Sequence, residues 1–179
     1  LAVKIMIRRL DFIEEFRKYI TASFEKIVGA KYIPVISYQS EIIDELDVSK
    51  YELELLKEKL GSVLKEKMDI EIKRGISLTG PHRDNYLFSM NKNGDMFDMK
   101  TFASQGEHKT FIVSLKLSEF GYINENLKHT NTGEPILLLD DVFSELDKSR
   151  IEKISELITD FNQVFITTTD LEHLGILKR

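Results

Sequence analysis

The stretch "ILLLDDVFSELD" sets four consecutive aliphatic side chains, Ile136 to Leu139, directly before two aspartates, Asp140 and Asp141. An apolar run without polar alternation reads as a strand covered on both faces, as in a parallel sheet. Asp147 then opens a helical pattern, with Ile151, Ile154, Leu157 and Phe161 on one face, and "QVFIT" reads as a second buried strand. Strand, helix and strand within about 30 residues predict a right-handed βαβ unit, and hence an α/β fold.

Upstream, Leu10, Ile13, Phe16, Ile20, Phe24 and Ile27 recur at intervals of three and four, so one long amphipathic helix is expected from Leu1 to about Ile27. "GAKYIPVISYQ" follows as a loop and a short strand bearing Ile33, Val35 and Ser37 in alternation, at a sheet edge because of Pro34. Ser49 is a candidate cap for a helix carrying Tyr51, Leu53, Leu56, Leu60 and Leu64 among dense Glu and Lys, a solvated charged face. Charge drops after Arg74, and strand signals begin: "ISLTG", then "NYLFSM" joined to "DMFDMKTF" by Asn93-Gly94, a strong hairpin signal. A helix is expected from Gln105 to about Tyr122, then a polar loop through "NENLKHTNTGEP".

Composition narrows the chemistry. The 179 residues include no cysteine, which removes disulfides and thiolate metal sites, and His82, His108, His129 and His173 lack ligand spacing. A formal charge of −5 argues against a chain that coats nucleic acid over its whole surface and leaves room for a local basic patch. No window approaches a membrane span of about 18 apolar residues, and no signal-peptide pattern opens the chain, so a cytoplasmic location is expected. The chain starts at Leu1, already in a helical pattern, and reads as a piece of a larger protein.

In open α/β sheets ligands bind beyond the carboxyl ends of the strands, where Asp140 and Asp141 fall. Adjacent carboxylates in a partly desolvated place suit a Mg²⁺ that carries nucleotide phosphates, one orienting the metal or its water and the other an attacking water. Capping of the following loop or helix is the plainer role for the same residues. "TFASQGEHKT" places Ser104, Gln105 and Gly106 at a helix start, where free amides attract an anion; Ser104 with Glu107 also fits a capping box, and the two roles are compatible.

Taken together, "GISLTGPHRDNYLF", "FASQGEHKT", "ILLLDDVFSELD" and "QVFITTTD" resemble the C-terminal half of the RecF family, bacterial recombination mediators related to SMC-like ATPases. The match is specific from Gly75 to about Asp170. It implies that residues 1–74 are part of a helical arm and residues 75–179 the C-terminal lobe of an ABC-type ATPase head, a parallel-sheet core with helices plus a β-hairpin. In such heads ATP is sandwiched between two protomers. The resemblance makes Ser104, Gln105 and Gly106 the trans-acting phosphate contact, Asp140 the Walker B aspartate that holds Mg²⁺ through water, and Asp141 the counterpart of a catalytic glutamate. Ser144 through Asp147 match the D-loop, and Thr169 stands in the place of a switch histidine. An aspartate is one methylene shorter than glutamate, so weak ATPase activity suited to a switch is implied. The implied partners are DNA at gaps or junctions, a second copy in the presence of ATP, and RecR and RecO.

Two departures matter. Glu107 adds negative charge beside the phosphate site, which favours a capping role for it. No Gly-x-x-x-x-Gly-Lys-Ser/Thr occurs, and none of the nine glycines precedes a lysine, so the chain reads as half an ATPase. "TGPHRD" could present His82 and Arg83, with Lys73 and Arg74 nearby, to a DNA backbone or the opposite protomer; pairing of Arg83 with Asp84 or another acid is the structural alternative. Rival functions are another SMC-like or transporter-type head, a noncatalytic interaction module, and a metal-dependent nuclease, the last lacking further clustered carboxylates.

Overall fold

The computed structural model describes residues 1–43, 53–128 and 133–170. Its elements run α1 (Ala2–Val28), β1 (Tyr32–Gln39), α2 (Leu53–Arg74), β2 (Asn85–Lys92), β3 (Asp95–Asp98), α3 (Met99–Phe102), α4 (Gln105–Leu127), β4 (Leu137–Leu139), α5 (Lys148–Ile158) and β5 (Val164–Ile166). One sheet has the order β1-β2-β3 and the other pairs β4 with β5 in parallel, giving the mixed α/β class that the sequence implies. Two compact units share the chain, Leu1–Glu15 with Ile36–Phe88 and Phe16–Val35 with Ser89–Arg179. No helix among the described residues is long and apolar enough to cross a membrane.

The six apolar residues that predicted α1 are all buried. In the first unit Met6, Leu10 and Ile13 are buried, as are Ile36 and Tyr38 of β1 and Leu56 and Leu60 of α2. Beside this core the Tyr38 hydroxyl donates to Asp84, while Arg9 donates to the Tyr38 oxygen at 3.4 Å and to the Pro81 carbonyl at 2.5 Å. Burial, then the Asp84 hydrogen bond, pushes the Tyr38 phenol up to about 12.

In the second unit Val113, Leu117 and Phe120 of α4 form one core with Leu137, Leu139, Phe143, Ile151, Ile154 and Ile158. Thr110, Ser114 and Ser118 are buried on α4 without penalty because each hydroxyl donates one turn back, to the carbonyls of Gly106, Thr110 and Ser114.

Several local expectations are corrected. "ISLTG" forms no strand; it is a loop in which Glu71 accepts from the Leu78 amide at 2.6 Å. The hairpin turns at Asn93-Gly94, both at positive φ, but β3 stops at Asp98, whose side chain accepts from the Thr101 amide and starts α3 instead. β1 is an edge strand, yet its inward face is Pro34, Ile36 and Tyr38; Ile33 is exposed. Helix α4 continues past Tyr122 to Leu127, because "INENL" has no glycine or proline to stop it. Among the described residues β4 and β5 are covered on one face and not on both: Leu137 and Leu139 enter the core, while Ile136, Leu138 and Phe165 are more than half exposed. The candidate cap Ser49, together with Tyr51, lies outside the described residues.

Candidate functional site

Strand register builds the acidic site. β4 and β5 pair Leu137 with Val164, Leu138 with Phe165 and Leu139 with Ile166, so the next residues, Asp140 and Thr167, leave the sheet side by side. The Thr167 amide donates to the Leu139 carbonyl at 2.9 Å. Its hydroxyl donates to Asp140 Oδ1 and accepts from the Asp141 amide at 2.9 Å. Asp141 sits at φ 44°, a left-handed conformation that costs an L-residue about 1–2 kcal/mol. The turn is held by Val142 and Phe143, both buried, and by the Ser144 hydroxyl, which donates to the Asp141 carbonyl at 3.1 Å.

Asp141 Oδ1 is buried and has no hydrogen-bond partner among the described residues. An unpartnered carboxylate oxygen is costly to bury and marks a place for a cation or a donor. Asp140 and Asp141 therefore offer hard oxygen ligands of the type Mg²⁺ takes, and no group of three or more potential ligands clusters among the described residues. That set fits a Mg²⁺ held by one or two carboxylates, waters and phosphates, rather than an all-protein cage.

The start of α4 lies beside this loop. Ser104 caps the helix: its hydroxyl accepts from the Glu107 amide at 3.3 Å and donates to Glu107 Oε2 at 2.8 Å, while the Ser104 amide donates to the same carboxylate at 2.9 Å. These bonds, the backbone one first, hold the Glu107 carboxyl below the usual glutamate range, helped by Arg150 and Lys92. Glu107 thus serves the cap, and the amides of Gln105 and Gly106 in the first turn lack intrahelical acceptors. A side chain in place of Gly106 would meet the Glu145 carbonyl and Arg150 Nη1, each at 3.1 Å. Arg150 pairs with Asp147, the N-cap of α5, at 3.2 Å.

The fold accordingly brings Ser104–Gly106 next to the Ser144–Asp147 loop. Thr169 is exposed beyond the acid pair, and the bonds at that end join Thr168 to Asp170. In the other unit Lys73 and Arg74 are exposed in the last turn of α2. Arg83 is not paired with Asp84: its Nε and Nη2 donate to the Ser77 carbonyl at 2.8 and 2.6 Å, and the His82 ring lies 3.4 Å from the same oxygen. His129 and His173 are outside the described residues. Thr167 and Arg150 are the residues sequence reasoning missed. Aligning the two strand ends would have set Thr167 opposite Asp140, whereas nothing local distinguishes Arg150.

No family model matches the chain. It is 35% identical, over its full length, to the DNA replication and repair protein RecF of Chloroherpeton thalassium, of which it covers 46%. RecF of Chlorobium limicola is 36% identical over 96% of the chain and 44% of that protein. RecF of Staphylococcus carnosus is 37% identical over 96% of the chain and 43% of that protein. The chain thus spans about half the length of the curated relatives it matches. Among solved structures it is similar to the recombination mediator protein RecF with ATPrS in the RecFOR pathway, at TM-score 0.71 and 26% identity over 96% of this chain and 43% of that one. The corresponding RecF structure with ATP gives a TM-score of 0.70 and 28% identity over 96% and 42%. In sequence and in fold the chain corresponds to the C-terminal half of RecF, with its ABC ATPase fold.

Proposed function

We propose that this chain is the C-terminal part of a RecF-like recombination mediator that dimerises on ATP, binds DNA at gaps or junctions and supports recombinase loading together with RecR and RecO. In this reading residues 1–74 belong to a helical arm and residues 75–179 form the C-terminal lobe of the ATPase head. Asp140 would hold Mg²⁺, and Asp141 would orient or deprotonate the attacking water. Ser104, Gln105 and Gly106, with Ser144 and Asp147, reach the nucleotide held by a second copy, and Thr169 senses its γ-phosphate. Bound Mg²⁺ would neutralise phosphate charge during transfer. Lys73, Arg74, His82 and Arg83 contact the DNA backbone or the opposite protomer.

The observation that carries the reading is the buried, unpartnered Asp141 oxygen at the carboxyl end of the parallel pair, beside an Asp140 already tied to Thr167. Similarity to RecF proteins described with ATP supports the choice of nucleotide. The test is light scattering and ATP turnover on the complete polypeptide its gene encodes. ATP with Mg²⁺ is expected to double the mass, and Asp141→Asn to keep that dimer while lowering turnover about 10²-fold or more. A mass unchanged by ATP sinks the reading. Arg83→Ala is expected to weaken DNA binding evenly across sequences and to flatten its salt dependence. A noncatalytic module draws on the Ser104–Glu107 cap, whose hydroxyl is already occupied, and predicts that Asp141→Asn leaves DNA repair intact.

A further inference from the structure

Thr167 lies in "TTTD", where the resemblance draws attention to a different threonine, yet it is the residue bonded to both aspartates. We propose that Thr167 is a positioning residue whose hydroxyl holds Asp140 and Asp141 in the geometry that Mg²⁺-nucleotide requires; this rests on the nucleotide reading above. A threonine hydroxyl has one hydrogen and two lone pairs. An amide can only donate, so a lone pair takes the Asp141 N–H at 2.9 Å and the single hydrogen goes to Asp140 Oδ1. Each partner therefore receives what it lacks.

Both consequences bear on the site. One oxygen of Asp140 is committed to Thr167, which restrains rotation of the carboxylate and leaves Oδ2 as its outward acceptor. The Asp141 amide is anchored while its backbone sits at φ 44°, so the bond offsets strain that would otherwise let the turn relax and carry Oδ1 out of its buried place. The position is not left to side-chain chance. Parallel register to Leu139↔Ile166, followed by the Thr167 amide bond to the Leu139 carbonyl at 2.9 Å, delivers the hydroxyl from backbone geometry. A hydroxyl bonded to a carboxylate in this way orients a metal ligand without touching the metal.

The experiment compares Thr167→Val, which keeps shape and β-branching but removes the hydroxyl, with Thr167→Ser, which keeps the hydroxyl. In the complete polypeptide, the Mg²⁺ concentration giving half-maximal ATP-dependent dimer is expected to rise about tenfold for the valine variant and to stay within about threefold for the serine variant. Equal behaviour of the valine variant and the parent overturns the assignment, as does an equal loss in both variants, which would mean that the methyl and not the hydroxyl matters. Asp140→Asn separates the two levels. An unchanged midpoint for it removes the nucleotide reading and the Thr167 role together; a shifted midpoint with an unaffected valine variant removes only Thr167. A readout without nucleotide covers a valine variant that fails to fold: in the unsubstituted protein the Asp141 amide should exchange with solvent about tenfold or more slowly than an unprotected amide, and exchange at the unprotected rate overturns the proposal.

Discussion

Gly61 and Gly106 both lie in helices, and opposite outcomes are expected on replacing them with alanine. Nothing lies within 4 Å of where a Gly61 methyl would be, so Gly61→Ala gains helix propensity and is expected to stabilise the fold by about 0.5–1 kcal/mol. At Gly106 the methyl would stand 3.1 Å from Arg150 Nη1 and from the Glu145 carbonyl. The guanidinium can swing aside, but the carbonyl belongs to a turn already at φ 64°. Overpacking of this kind costs about 1–3 kcal/mol and outweighs the propensity gain, so Gly106→Ala is expected to lose about 1 kcal/mol. Urea midpoints of the two variants should move in opposite directions. In the sequence the two glycines look alike; the neighbour that separates them arrives from a distant loop.

Helix α4 depends on its first turn. Ser104→Ala is expected to cost about 1 kcal/mol, read as a lower thermal midpoint. The partner carboxylate adds a pH signature. Because the folded protein holds Glu107 below its ordinary value of 4.5, the charged form contributes stability that is present above that value and is lost as pH falls through the lower folded one. The stability gap between the parent and Glu107→Gln should therefore be full at neutral pH and shrink on acidification below 4.5; a pH-independent gap would contradict the cap. Elements set by neighbouring residues were legible beforehand: the α1 seam, the Asn93-Gly94 turn and the capping box. Element ends were less so. Polarity in "INENL" hid the last turn of α4, and the exposed face of β4 was unreadable because an aliphatic run looks the same covered on one side or two.

At the scale of the molecule, each compact unit has its own apolar centre, and the first adds a part-buried polar cluster. Tyr38, 3% exposed, joins Arg9 and Asp84. Tyr38→Phe keeps the ring and removes the hydroxyl, leaving two polar partners short of a bond, and is expected to cost about 1–3 kcal/mol. Hydrogen exchange should quicken mainly within Leu1–Glu15 and Ile36–Phe88. The phenol itself, raised to about 12 by burial, adds stability that is full below its ordinary 10.0 and is lost as pH rises through about 12. What the sequence by itself determined is whatever neighbouring residues decide: helical seams, caps, the hairpin turn, and the placing of Asp140 and Asp141 where an apolar run stops. Only the tertiary structure decided that Thr167 would hold both aspartates, that Gly106 would meet Glu145, and which face of each strand would be buried. Caps and turns are bonds between residues a few positions apart, whereas register and facing follow from how separate elements pack, and no short window of sequence contains that information.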